Sequence, residues 1–262
     1  MISLAGGDVI TAPPKEFIYA TPFTARMACE RIFEDIAERG MTGVGLISGT
    51  GGFGESMREE CIDVAPGFGL EILADERYGP ADTDMTPQLT NIANNESVEV
   101  IVNPGFGQGP VIVTRNYGRL GIEAPLYQSH GVASREFIEG AGAAAEGVRL
   151  PSPTVVVADR LDGHPELQSD VLLDYKETYE RETGHDVSTF GAYAYDALLI
   201  VIDAVERAGG LDLEEINAAI QSTSRLEGTA GEFNMSPDDH RGLDVAAFRM
   251  LEIRDGDWQI VD

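Results

Sequence analysis

The chain has 262 residues, 43% of them apolar, enough to bury a sizeable core in one large domain or two smaller ones. Asp and Glu number 45 against 18 Lys and Arg, a formal charge of -27. Such a field repels phosphate backbones and anionic membrane surfaces and excludes a nucleic-acid partner.

Lys15 and Lys176 are the only lysines, and the acid excess reads as a solubility adaptation to a salty medium, where counterions screen self-repulsion. No apolar run reaches membrane-spanning length; Ala197 to Val205 comes nearest, and Asp203 interrupts it. Cys29 and Cys61 have no metal-type spacing, so buried free thiols are the expected state, with a disulfide left open. The opening Met1 to Gly7 lacks the basic and long apolar regions of a signal peptide and reads as a strand end entering a glycine turn.

From Thr24 to Arg39, Cys29, Ile32, Phe33 and Ile36 fall at i, i+3, i+4 and i+7, predicting an amphipathic helix closed by Gly40. Val44 to Ser48 is an apolar strand, Gly49 to Gly54 a glycine-rich turn, and a helix runs on through Met57 and Cys61. Leu70 to Ala74 is the next strand. Thr86-Pro87 opens a helix, with Thr as N-cap and Pro in the first helical position. Asp82 and Asp84 are expected to cap that helix and favour its positive end. Val98 to Val102 (strand), Val111 to Leu120 (helix) and Leu126 to Ser129 (strand) continue the alternation, which predicts an α/β fold with a parallel, right-handed sheet.

At Tyr127 to Ser134 an apolar strand ends in a polar, Gly-containing loop that leads to a small-residue helix, Ala141 to Val148. Side chains at the carboxyl end of a parallel strand point into a crevice where a ligand can sit. Pro151-Ser152-Pro153 then punctuates the chain, and Val155 to Val157 predict a strand over Thr154 to Ala158. Helices follow over Pro165 to Glu182, Phe190 to Ala208 and Leu213 to Thr223. The tail reads as a hairpin: Ala246 to Ile253, a turn at Asp255 to Asp257, then Trp258 to Val261.

Gly49 to Gly54 is a literal G-x-G-x-x-G between strand and helix, and Asp75 follows at the distance of a ribose-binding carboxylate. This supports one alternative, an NAD(P)-dependent Rossmann-type oxidoreductase. The competing reading is a βα turn that needs its glycines, with Phe53 pointing into a crevice. His130, His164, His185 and His240 show no metal-ligand spacing. His130 is the candidate ligand contact, because it ends a strand; the other three read as surface loop residues. No G-x-S-x-G is present, and Ser129 beside His130 is no dyad, since neighbouring strand side chains point to opposite faces. Without a catalytic constellation, the chain reads as a binding protein rather than an enzyme.

The chain resembles the leucine/isoleucine/valine-type substrate-binding proteins of ABC transporters. The matching elements are Ile2 to Ala5, Gly52-Phe53-Gly54, Thr83 to Leu89, Gly131 to Ser134, Ala144 to Gly147, Ala194 to Ala197 and the tail from Gly242 to Val261. The resemblance implies a two-lobed type I periplasmic-binding-protein-like fold, with parallel sheets flanked by helices and ligand held by hinge closure. It maps residues 1–23 to an N-lobe remnant, 24–153 to the C-lobe, 154–245 to the return to the N-lobe, and 246–262 to a hairpin supporting the C-lobe. Family members begin with a signal peptide and further βα units, so the resemblance implies a first lobe truncated at its N-terminus and a periplasmic or cell-surface location.

By the same resemblance, Ala5, Gly6 and Gly7 would hold a ligand carboxylate through backbone amides, while Phe53, Phe106, His130 and Phe190 would line the rest of the pocket. Amino-acid binders carry an acidic residue at the position of His130, to pair with the ligand ammonium. A histidine fits an anion better, which widens the expected ligand to an amino acid or another small carboxylate, aromatic ones included. The implied partner is an ABC permease, with neither cofactor nor membrane insertion. A ligand-sensing domain of a receptor or regulator is the second alternative.

Overall fold

A computed structural model describes residues 1–161, 164, 167 and 169–261 of the chain. They form two compact units: Met1–Thr24 with Pro153–Ala247, and Ala25–Ser152 with Phe248–Asp262. The first unit opens with two short parallel strands, β1 (Ile2–Ser3) and β2 (Tyr19–Ala20).

In the second unit, α1 (Ala25–Glu38) buries Cys29, Ile32, Phe33 and Ile36 completely, the face its spacing predicts. Alternation then proceeds through β3 (Gly43–Gly49), α2 (Gly52–Val64), β4 (Glu71–Tyr78), α3 (Thr86–Ala93) and β5 (Val100–Asn103). It ends with α4 (Gln108–Leu120), β6 (Leu126–Gln128), α5 (Arg135–Ala141) and β7 (Arg149–Ser152). The parallel strands lie in the order β4-β3-β5-β6-β7. With β4 on one side of β3 and β5 on the other, the winding reverses between β3 and β5. That reversal opens a crevice at their carboxyl ends.

Two local expectations are corrected here. Thr86 is the first residue of α3 and not its cap: Met85 holds the cap position, and the Asp84 carboxylate accepts from the Thr86 amide at 3.1 Å. Asp82 does not cap the helix; it closes the preceding turn by accepting from the Gly79 amide at 2.8 Å. Cys29 and Cys61 are not free thiols. They form a disulfide between α1 and α2, with Cα atoms 5.1 Å apart. Packing of the two helices brings the cysteines together, which neither sequence position reveals.

In the remainder of the first unit, Thr154–Arg160 forms 3-10 turns, kinked at the non-helical Val157, where a strand is expected. Val155 and Val157 are buried, and the segment packs against α6 (Asp170–Thr183) and α7 (Thr189–Ala208). A β-branched run becomes a strand only beside another strand; against helices it closes local turns instead. Of the helix expected from Pro165, residues 165, 166 and 168 lie outside the described residues. Next come α8 (Leu213–Gln221), with Asp212 accepting from the Glu214 and Glu215 amides, and an antiparallel pair, β8 (Leu226–Glu227) and β9 (Glu232–Phe233).

Asp196 on α7 is fully buried and accepts from the Thr229 amide at 2.7 Å, the Thr229 hydroxyl at 3.0 Å and the Ala230 amide at 3.0 Å. Burial pushes its carboxyl up to about 6, against the pull of those donors. His240 is not a surface loop residue: it is buried, stacked on Tyr19 at 4.5 Å between centroids, with Nδ1 2.8 Å from the Ile18 carbonyl oxygen. It lies among residues distant in sequence, so local polarity gives no sign of its burial.

The second unit is completed by the hairpin β10 (Arg249–Arg254) and β11 (Asp257–Ile260), with β10 antiparallel to β7. Asp255 and Gly256, with φ of 53° and 73°, form the expected tight turn. The strand starts after Ala246, since Val245–Ala247 is a 3-10 turn. Arg149 fastens the hairpin, meeting both Asp35 oxygens at 2.9 Å and Glu252 at 2.8 Å.

Candidate functional site

Phe53 lies in the first turn of α2 just after β3, Phe106 in the loop between β5 and α4, and His130 two residues beyond β6. These are the carboxyl ends of three adjacent parallel strands, and the first two flank the point where the winding reverses. The structure brings the three side chains together. Phe53 and Phe106 have ring centroids 6.0 Å apart, and the His130 ring stands edge-on to Phe53 at 5.4 Å.

A fourth ring, not anticipated from the sequence, completes the group: Phe248 lies 5.6 Å from His130. It precedes β10 in a segment expected to be strand, so nothing in its local pattern marks it. Phe106 is 56% exposed, whereas His130 is 6% and Phe248 wholly buried, so the cluster grades from a presented ring to a seated imidazole.

The loops that carry these rings are laced together beneath them. Ser129 Oγ donates to the Gly105 carbonyl at 2.5 Å and accepts from the Gly131 amide at 3.2 Å. Asn103 Nδ2 donates to the Ile47 carbonyl and, at 3.2 Å, to the Tyr78 hydroxyl. Tyr78 is buried, which pushes its phenol up to about 12, and its ring lies so close to Gly109 that a Cβ there would collide with it. Gly107, with φ of 73°, then turns the Phe106 loop into α4. Gly131 is similarly hemmed in: a Cβ there would sit 3.1 Å from Phe106 and 3.4 Å from Phe53.

The remaining predicted site residues belong to the first unit. Ala5, Gly6 and Gly7 follow β1; the Ala5 amide donates to Ser3 Oγ at 3.2 Å, and Gly7 precedes a short 3-10 helix, Asp8–Ile10. Phe190 is the second residue of α7, after the Ser188 N-cap, and is 49% exposed.

Two aromatic faces, a half-presented phenylalanine and one imidazole can grip an apolar or planar body and give one directed polar contact. Among the described residues no group of three or more His, Cys, Asp or Glu side chains could hold a metal ion. Asp75, the acidic residue of the dinucleotide alternative, pairs with Arg58 of α2, whose Nε donates to it at 2.8 Å. Gly54 serves packing, since a Cβ there would collide with the Gly49 carbonyl.

A family model described as periplasmic binding protein matches residues 1–257. No curated protein sequence matches the chain. Among solved structures, an extracellular ligand-binding receptor from Rhodopseudomonas palustris HaA2 is 25% identical, with a TM-score of 0.88 over 99% of this chain and 74% of its own. A leucine binding protein, LivK, from Thermotoga maritima MSB8 is 20% identical, with a TM-score of 0.82 over 100% of this chain and 72% of its own. A branched chain amino acid ABC transporter protein from Thermus thermophilus with bound valine is also 20% identical, with a TM-score of 0.80 over 100% of this chain and 70% of its own. The type I periplasmic-binding-protein fold and the nearly full-length family match agree, and the chain belongs to the periplasmic binding protein family.

Proposed function

We propose that the chain is the extracytoplasmic solute-binding component of an ABC importer, and that its solute is a small organic carboxylate with an apolar or aromatic body. The observation that carries this reading is the cluster of Phe53, Phe106 and His130 at the ends of β3, β5 and β6. Rings of this kind supply apolar contact area, and an imidazole among them favours an anionic solute over an ammonium-bearing one. The turn Ala5 to Gly7 takes the carboxylate through the backbone amides that follow Ala5, whose own amide is held by Ser3 Oγ, and Phe190 adds apolar surface. The two units serve as the two lobes of the family's design, and the loaded protein delivers its solute to a membrane permease. Catalysis has no part in this reading.

An oxidising compartment fits the disulfide between Cys29 and Cys61. Among the described residues no helix is long and apolar enough to cross a membrane.

The test is a thermal-shift panel of L-leucine, L-valine, L-phenylalanine, benzoate and 3-phenylpropionate, with NADH alongside. Ligands that bind only the folded state raise the melting temperature by mass action. A shift with one or more carboxylates and none with NADH supports the proposal. A shift with NADH alone, or no shift with any carboxylate, overturns it.

A further inference from the structure

Arg241 is almost wholly buried in the first unit, at 4% exposure, and the sequence pattern gives no hint of it. Its guanidinium is spread over three neutral acceptors from distant parts of the chain. Nε donates to Thr11 Oγ1 at 2.9 Å, Nη1 to the Pro22 carbonyl at 2.7 Å and Nη2 to the Gly7 carbonyl at 2.7 Å. Asp8 and Asp239 act on it through their charge, and burial holds the group below its usual range. Desolvating a guanidinium is costly, and a fork with fixed geometry recovers that cost only when its acceptors are held in place. The arrangement is therefore a staple. Opposed by those two carboxylates, its contribution is geometric rather than a net positive field.

One arm of the staple ends on the turn to which the proposed function assigns the ligand carboxylate. The Gly7 carbonyl accepts from Arg241 and from the Ile10 amide at 3.2 Å, so its direction is fixed twice. A trans peptide is planar, and the N–H of residue i+1 points opposite to the carbonyl of residue i. Drawing the Gly7 carbonyl toward the guanidinium therefore turns the Asp8 N–H away from it. Glycines at 6 and 7 give this segment no stiffness of their own, so the orientation has to come from outside.

We infer that Arg241 is the positioning residue of the binding turn. It fixes the Gly7–Asp8 peptide plane, so that the Asp8 N–H, the donor that closes the Ala5 to Gly7 turn, meets a ligand carboxylate already oriented. This rests on the reading that Ala5 to Gly7 take a carboxylate. Preorganised amides separate a carboxylate, which accepts with both oxygens, from its carboxamide, which sets an NH2 against one donor.

The test uses the full chain, isotope-labelled for backbone relaxation, with benzoate and benzamide as probes, in wild type, Arg241→Lys and Arg241→Met. Wild type is expected to show order parameters near ~0.85 at Gly6, Gly7 and Asp8, falling below ~0.6 in Arg241→Met while Tyr19 and Thr21 stay unchanged. The preference for benzoate over benzamide is expected to fall about tenfold or more in Arg241→Met, with Arg241→Lys intermediate.

A purely structural role predicts otherwise. Equal weakening of both probes, unchanged order parameters at the turn, or loosening of Tyr19 and Thr21 together with it each overturns the inference. Should wild type bind neither probe, the carboxylate reading of the proposed function fails on its own, and the order parameters alone decide whether Arg241 fixes the turn. If Arg241→Met does not fold, Thr11→Val removes one acceptor from the guanidinium and is measured in the same way, with the same turn-confined loosening expected and its absence overturning the inference.

Discussion

The His130 imidazole stands edge-on to the Phe53 ring, with centroids 5.4 Å apart, although 77 residues separate them in sequence. That geometry joins the loops that follow β3 and β6, and it makes His130 the polar member of an otherwise aromatic seat. An edge-to-face contact of this kind is worth about 0.5–1.5 kcal/mol beyond the area it buries. Its larger consequence is orientation, because a ring held against its neighbour has the direction of each nitrogen fixed.

Replacing His130 with Glu reverses the electrostatic preference of the seat. Benzoate affinity is expected to fall about tenfold or more, while L-phenylalanine, which carries an ammonium, gains relative to it. Titration calorimetry with both compounds checks the ratio. An unchanged ratio contradicts the role given to the imidazole.

The Cys29–Cys61 disulfide closes a loop across a sequence separation of 32. Loop-closure entropy alone assigns it roughly 3–4 kcal/mol of stability. The Cys29→Ala/Cys61→Ala double variant is expected to unfold at correspondingly lower denaturant, and wild type with a reductant is expected to follow it. Identical unfolding curves with and without reductant contradict this.

Asp196 makes stability depend on pH in an unusual direction for a carboxylate. Its pKa is raised from 3.8 to about 6 in the folded protein, so its favourable contribution is complete below about 3.8 and is lost as pH rises through about 6. A shift of about two units corresponds to about 3 kcal/mol. The stability difference between wild type and Asp196→Asn is therefore expected to favour wild type more at pH 4 than at pH 8, by up to that amount. Urea unfolding across this range measures it, and a difference independent of pH contradicts the assignment.

The formal charge of -27 predicts a strong response to salt. Raising KCl from low to molar concentration screens repulsion between carboxylates, and the melting temperature is expected to rise by several degrees. A melting temperature that stays flat or falls contradicts the reading of the acid excess as an adaptation to salt.

Much of the second unit was legible because its strands are short apolar runs closed by glycine turns. Val44 to Ser48, Val98 to Val102 and Leu126 to Ser129 each mark a parallel strand, and a residue just past such a run sits at the crevice end. That position singled out His130 and aimed Phe53 at a crevice, whereas Phe106 was named only through the family resemblance. The residues that escaped notice are held by tertiary contacts alone. Phe248 lies in a segment read only as strand and Arg241 in a loop, and their partners lie more than a hundred residues away. The Cys29–Cys61 bond depends on how α1 and α2 pack, and the segment around Val155 to Val157 forms 3-10 turns kinked at Val157, with helices as its neighbours. Local pattern reports propensity, and in these places tertiary packing outweighs it.

The most direct test is a calorimetric titration of wild type and Phe53→Ala with whichever carboxylate gives the largest thermal shift. Wild type is expected to bind one equivalent saturably, and Phe53→Ala, still folded by circular dichroism, is expected to bind it at least about tenfold more weakly. Equal affinity in the two proteins would contradict the assignment of the solute to this aromatic seat.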